Sequence, residues 1–590
     1  MKKIILMLSA VFALVSCEMD FYRSDTLTSA LLQENPGASV YTTDGVYTLF
    51  KDILEYNGSV YSANSYVRHF LLNTELRGDN VCLSFATSDA LRNSYLYDDN
   101  PTLSHLGYFW YCAYKIIYAA NSNIEAIPEG ASIESDHMLG ENYFFRAIVH
   151  LHLQMLYSKP YSRGRDNLGV VLRTSTDCSE TKRATVGEVY DKIAEDLNKA
   201  IALMEKGSRR GNAGFISYEA ARGLLTRVYL YMEKYQECAE LADAMLGAAP
   251  EANLVSGADL YNYFATARDS KETLWCVAKV GTDAEYSATS QVGSMYYKPI
   301  TGYTTGGDPI EAPGYGEMFY SEPLLDLYER WPEDLRYQAY CYKREPVPGQ
   351  KMLYWPIEGE GTPEGSDEVL VFYTPVYGEK LTYNSSDDTY SFEYEGTKYV
   401  AKNNVVNKSK IWYVENMKTD SPKDANGNVR VYVRDAIEGR KLGYPTWMMR
   451  KFADQDGDNN LCSPVMIRWA EVVLNRAEAN AKLGNDQKAL EDVNVLRKRA
   501  GLPDAAMWTT SNYQDWGYDS VLDVVLDERN LELCFEGHRA FDLYRNGKSI
   551  NREYPGVHKW TVLDLNYLDA NFPHCIPFGE VTVSGIEQNK

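Results

Sequence analysis

Two stretches of the sequence gather flat aromatic rings together with Arg, Asn and Asp hydrogen bonders. The first is Arg77-Gly78-Asp79-Asn80, followed by Asn93, Tyr95 and Tyr97. The second runs from Tyr296-Tyr297 through Tyr303 and Asp308 to Tyr315, a Gly/Thr/Tyr loop with no helical or strand period. Flat aromatic faces flanked by Arg, Asn and Asp hydrogen bonders suit a ligand with apolar faces and a polar rim. Arg77, Asp79, Asn80, Tyr95, Tyr97, Tyr296, Tyr303, Asp308 and Tyr315 are the candidate ligand-binding residues. The competing reading is loop packing, with Arg77 and Asp79 as a local ion pair. Composition fits surfaces that are wet and adhesive: Tyr stands at 47 against 18 Phe and 10 Trp, and Tyr joins an apolar face to a hydroxyl.

Other chemistry finds less support. There is no HExxH, and His150 and His152 lie two apart on a predicted helix, where they face differently and cannot share a metal. Asp454-Gln455-Asp456-Gly457-Asp458-Asn459 sets oxygen ligands at alternate positions in the style of a Ca²⁺ loop. It lacks the twelve-residue spacing and the terminal Glu, so it reads as an acidic solvated turn and no metal is expected. No GxSxG, P-loop or zinc motif supports another chemistry. Paired carboxylates are plentiful, which keeps a surface glycoside hydrolase as a rival, because their separation is not readable from sequence. The cysteines after Cys17 are dispersed, without CxxC or a Cys/His cluster, and read mostly as small buried apolar residues. A formal charge of −23, from 59 basic and 82 acidic side chains, repels phosphate backbones and argues against nucleic acid as a partner.

These residues must be held by something. Helical periodicity is predicted around 108–127, 138–158 and 186–206, the last with Thr185 and Glu188 as a capping box. Ala220, Leu224, Val228 and Tyr231 mark one stripe, capped by Ser217; Tyr235, Cys238, Ala242 and Met245 mark the next. The layout returns near the C-terminus, with Ile467 to Ala481 ended by Gly484, and Ala489 to Ala500 ended by Gly501-Leu502-Pro503. Helix pairs repeating in about 34 residues read as tetratricopeptide-like hairpins. The expected fold is therefore mainly α, a tetratricopeptide-like array with a large irregular insert containing short β-hairpins. Its expected divisions are 1–16 as signal, 17–250 as N-terminal segment and hairpins, 251–463 as ligand-binding insert, and 464–590 as the hairpins that complete the array. Within the insert, Tyr390, Phe392 and Tyr394 before Glu395-Gly396 predict a β-hairpin, and Val429, Val431 and Val433 predict a half-buried strand. Residues 527–547 predict a helix interrupted near Gly537, whose Glu536, Arg539, Asp542 and Arg545 form a structural charge network.

The N-terminus reads as an export signal. Lys2 and Lys3 precede an apolar run from Ile4 to Val15, too short to span a bilayer. It ends Leu14-Val15-Ser16-Cys17, which resembles a bacterial lipobox with Cys17 as the lipidated residue. Glu18 and Asp20 resemble the surface-export signals of Bacteroidetes lipoproteins. No later apolar run is long enough to cross a membrane, and mean hydropathy is −0.39.

Several strings in order resemble the SusD/RagB family of Bacteroidetes nutrient-binding lipoproteins. They are Phe145-Arg146-Ala147, Val189-Tyr190 to Ala200, Arg468-Trp469-Ala470-Glu471 to Ala479, and Val493-Asn494 to Pro503. The most specific are Glu528-Arg529, Glu532-Leu533, Phe535-Glu536-Gly537, Arg539, Asp542-Leu543 and Arg545, and the terminus Ile576-Pro577-Phe578-Gly579. The resemblance implies a SusD-like helical scaffold carrying an irregular binding half. It implies a lipid-anchored, non-enzymatic protein on the outer-membrane surface, with no catalytic residue and no cofactor. Such a protein captures oligosaccharides and delivers them to a SusC-like TonB-dependent transporter. A peptide-capturing RagB-like lipoprotein is the alternative it leaves open.

Overall fold

The computed structural model describes residues 39–61, 65–84, 91–283, 287, 290–358, 371–373, 375–406, 409–441 and 443–589; the export signal and Cys17 lie outside them. Antiparallel helices form the frame. Ser104–Ala126 packs on Ile133–Tyr157, which packs on Val186–Met204, then Tyr218–Tyr231 and Tyr235–Leu246. Local signals set the starts. Thr185 Oγ1 accepts from Glu188 N at 3.2 Å while Glu188 Oε2 accepts from Thr185 N at 2.8 Å, the reciprocal capping box. Ser217 Oγ accepts from Ala220 N at 3.1 Å.

The second half of the array, Trp469–Lys482 and Asp486–Arg499, packs directly on the first although the insert separates them in sequence. Arg227 Nε and Nη2 each reach the Glu471 carboxylate at 2.6 Å, and both residues are buried. The array is continuous in space and split only in sequence. Small residues permit the crossings: a Cβ on Gly223 would lie 2.8 Å from Leu274 Cδ1. Most cysteines, including Cys82, Cys112, Cys238 and Cys534, are buried filler as expected, while Cys178 is exposed. His150 and His152 turn to different partners, the Arg146 carbonyl at 2.9 Å and the Tyr66 hydroxyl at 2.8 Å.

The C-terminal charge string is a structural network. The helix breaks as expected, into Val521–Leu533 and Arg539–Arg545, with Phe535 and Gly537 both at positive φ. Of the expected three-apart pairs only Asp542–Arg545 forms, at 2.6 Å. The other charges reach across the molecule. Glu536 takes Arg468 at 2.8 Å and Lys451 at 2.6 Å. Arg539 takes Asp79 at 2.8 Å, and Asp542 takes Arg529 at 2.8 Å. Each buried charge is paired, which is what a low-dielectric interior requires.

The insert carries the expected hairpins, and these join a larger seven-stranded antiparallel sheet, in the order Val376–Tyr377, Pro346–Tyr354, Asn428–Ile437, Ser409–Glu415, Thr397–Val406, Thr389–Tyr394, Leu381–Asn384. The predicted hairpin is present, Phe392 facing Tyr399 across a two-residue turn in which Glu395 and Gly396 both take positive φ. The predicted Val429–Val433 alternation lies in the interior strand Asn428–Ile437. The remaining strands escape a sequence reading because few of their positions are buried. Pro346–Tyr354 is buried only at its Met352–Tyr354 end, and Thr397–Val406 is largely exposed. One sheet face closes over its own core of Trp355, Phe392, Trp412, Val414, Val429 and Val431. The opposite face docks on helix Glu322–Glu329 through Arg434, which meets Glu322 at 2.5 Å, Glu329 at 2.5 Å and Asp326 at 2.8 Å.

Candidate functional site

The first of the two predicted stretches is not a binding surface. Arg77 is 1% exposed. Its guanidinium pairs with Asp99, donates to the Asn571 carbonyl at 2.7 Å and lies 4.3 Å over the Tyr97 ring. Asp79 is buried and accepts from Arg539, so the expected local pair with Arg77 is replaced by two long-range pairs. Asn80, buried, donates to Glu75 Oε1 at 2.8 Å. Burial pushes the Glu75 carboxyl up to about 7, with the Asn80 hydrogen bond opposing that shift. Tyr95 and Tyr97 donate to the carbonyls of Val81 and Arg77, at 3.0 and 2.6 Å, from inside the core. Asn93 is half-buried. Tyr296 is likewise withdrawn: it is 1% exposed and packs edge-on against Phe535 at 5.3 Å. Arg77, Asp79, Asn80, Tyr95, Tyr97 and Tyr296 are structural pillars.

The rest of the second stretch does reach the surface. Its loop is in fact a hairpin, Ile300–Tyr303 paired with Pro309–Glu311. Tyr303 is 60% exposed at the end of the first strand, Asp308 is exposed beside the turn, and Tyr315 is 39% exposed beyond the second strand. The base is fixed by charge. Glu311 meets Lys298 at 2.7 Å and Arg344 at 2.5 Å, and the hydrogen bond from Lys298 leads in holding its carboxyl below the usual range. Lys441 Nζ donates to the Tyr315 carbonyl at 2.6 Å. The tyrosines therefore project from an anchored ribbon.

Beside this hairpin opens a cavity of about 570 Å³ lined by Tyr261, Tyr337, Gln338, Tyr342, Lys343 and Arg450, among others. Tyr342 links the two, through a hydrogen bond with the Ile300 backbone; burial raises its phenol, and the Tyr303 phenol adds to that. Tyr261 is 51% exposed and carries the Arg450 guanidinium 4.3 Å over its ring. Arg450 Nε is held by Asp454 at 2.7 Å, while its buried Nη1 has no hydrogen-bond partner among the described residues. Burial works to raise the Asp435 carboxyl, but Lys351 and Lys343, at 2.8 and 2.9 Å, outweigh it and hold the group ionised. The arrangement offers aromatic faces, fixed cations and an amide around an open recess. Sequence reasoning missed Tyr261, Tyr342 and Arg450 because they come from three separated segments with no shared spacing.

The acidic turn is occupied by protein cations. Asp454 pairs with Arg450 and Asp456 with Arg268 at 3.3 Å, while Asp458 Oδ1 accepts from Asn460 N at 2.9 Å.

Comparison with known proteins gives the family. A model described as "SusD family" matches residues 271–571, and one described as "Starch-binding associating with outer membrane" matches residues 38–230. SusD-like protein P2 of Formosa agariphila is 23% identical over 531 residues, 87% of each chain. A SusD superfamily protein of Bacteroides thetaiotaomicron superposes with a TM-score of 0.64 at 20% identity, over 94% of this chain and 99% of its own. A laminarin-binding SusD-like protein does so with a TM-score of 0.57 at 19% identity, over 94% and 98%. The first model alone spans half of the sequence, across the sheet-bearing insert and the C-terminal charge string, and the chain belongs to the SusD family.

Proposed function

We propose that this chain is a cell-surface lipoprotein, anchored through Cys17 on the outer membrane, that captures oligosaccharides without cleaving them and passes them to a SusC-like TonB-dependent transporter. The observation that carries the reading is the anchored hairpin presenting Tyr303 and Tyr315 beside the Tyr261–Tyr342 recess. Stacking faces with fixed hydrogen bonders around them suit a sugar. The laminarin-binding relative of the same fold supports a glycan ligand, and the outer-membrane wording of the second family model supports the location. Capture without hydrolysis is favoured by Asp435, which two lysines keep ionised and which makes a poor proton donor for a leaving group.

Calorimetry on the unlipidated chain with laminarin oligosaccharides and with peptide pools is the test. Tyr303→Ala should weaken saccharide binding by about 1–2 kcal/mol through loss of ring contact. Unchanged affinity in both Tyr303→Ala and Tyr315→Ala would take the hairpin out of the site. Saturable binding of peptides alone would replace the glycan reading with peptide capture.

A further inference from the structure

A larger cleft lies between the sheet and the scaffold. Its volume is about 760 Å³, and it shares no lining residue with the Tyr261–Tyr342 recess. The strands Thr397–Val406, Ser409–Glu415 and Asn428–Ile437 form one wall. Helix Glu322–Glu329 and the C-terminal segment around Asn551 and Trp560 form the other. Two half-exposed rings, Tyr413 and Trp560, come from these opposite walls, with Asn404, Asn428 and Asn551 placed around them. The cleft continues into a notch of about 240 Å³ through Asp326, Ile411, Arg430 and Tyr432, which line both. Arg430 is held on one side by Asp326 at 3.3 Å and lies 5.1 Å over the Tyr432 ring. Its buried Nη1, and the buried Ser409 Oγ in the same notch, have no hydrogen-bond partner among the described residues.

The chemistry of the walls selects among ligands. Aromatic faces on opposite sides, with neutral amides between them, suit saccharide rings. The charged rim carries Asp326, Asp424 and Glu553 against Lys423 and Arg430, so a polyanion is disfavoured. We infer that this cleft is a second saccharide site, which takes a neutral stretch of the captured glycan and makes the chain bivalent for polymers. The inference rests on the glycan reading proposed above. Binding of one polymer at two places makes the second event intramolecular and raises avidity without new contacts at the first.

The test compares the intact chain with Tyr303→Ala, Trp560→Ala and Asn404→Ala by affinity electrophoresis in gels containing laminarin, starch or polygalacturonate, with melting curves for each variant. Retention by a neutral glycan should fall about three- to tenfold in Trp560→Ala with Tyr303 intact, as loss of one stacking ring implies. Calorimetry with the short oligosaccharides of that glycan should drop from two sites to one. Asn404→Ala, an exposed strand position, should reduce retention in the same direction and decides the matter if Trp560→Ala lowers the melting temperature. Retention lost in Tyr303→Ala but unchanged in both Trp560→Ala and Asn404→Ala would overturn the second site and leave the first. Retention by polygalacturonate that Trp560→Ala removes would overturn the neutral-ligand assignment. No retention in any gel would overturn both the glycan reading and this inference.

Discussion

Arginine decides much at the residue scale. Arg468 shows how: at 1% exposure its guanidinium meets Glu272 at 2.9 Å, Glu532 at 2.5 Å and Glu536 at 2.8 Å, and Nη2 also donates to the Glu532 carbonyl at 2.7 Å. Removing one member strands several buried carboxylates. Arg468→Met should therefore cost about 3–5 kcal/mol, read as a lower urea midpoint, and Arg468→Lys should restore little, since one ammonium cannot fork to three carboxylates. An unshifted midpoint in Arg468→Met would contradict this account of the charge string. The same chemistry explains why the first candidate stretch misled. Arg beside Asp, Asn and Tyr is as good a recipe for a satisfied core as for a sugar site. Only burial separates the two, and burial at Arg77 is set by Asp99, Asn571 and His574, the last two nearly five hundred residues away in sequence. That Tyr303 and Tyr315 reach the surface was legible, because their Gly- and Thr-rich surroundings hold few large side chains to cover them.

At the scale of elements, the helices were readable, and so were the Thr389–Val406 hairpin and the Asn428–Ile437 strand, but not the pairing that joins seven strands. Helix ends carry their own punctuation, such as Thr185 with Glu188, Ser217, and Gly484 and Gly501 at positive φ. Strand pairing is set by partners far along the chain, and strands with one wet face and little alternation give no period to detect. The docking of that sheet rests on Arg434, which is buried against three carboxylates of one helix, Glu322, Asp326 and Glu329. Spacing of three or four along Glu322–Glu329 puts all three on one side. Arg434→Leu should raise amide hydrogen exchange through the strands between Pro346 and Ile437 while leaving helices Ser104–Ala126 and Ile133–Tyr157 protected. Uniform exchange in both proteins would mean that apolar contacts alone hold the sheet.

For the whole molecule, the split array gives a stiff frame from which two aromatic clefts and a tyrosine ribbon are held out, one cleft on the insert's scaffold side and one beside the ribbon. No described helix is long and apolar enough to cross a membrane; the proposed arrangement attaches the chain through lipid on Cys17. The most direct measurement is a binding screen of the unlipidated chain against neutral glycans, acidic glycans and peptides, with the recovered ligand checked for new reducing ends. The account predicts saturable retention of a neutral glycan, weakened by Tyr303→Ala, and a ligand recovered uncut. Retention of peptides only, or a glycan returned as fragments, would contradict it.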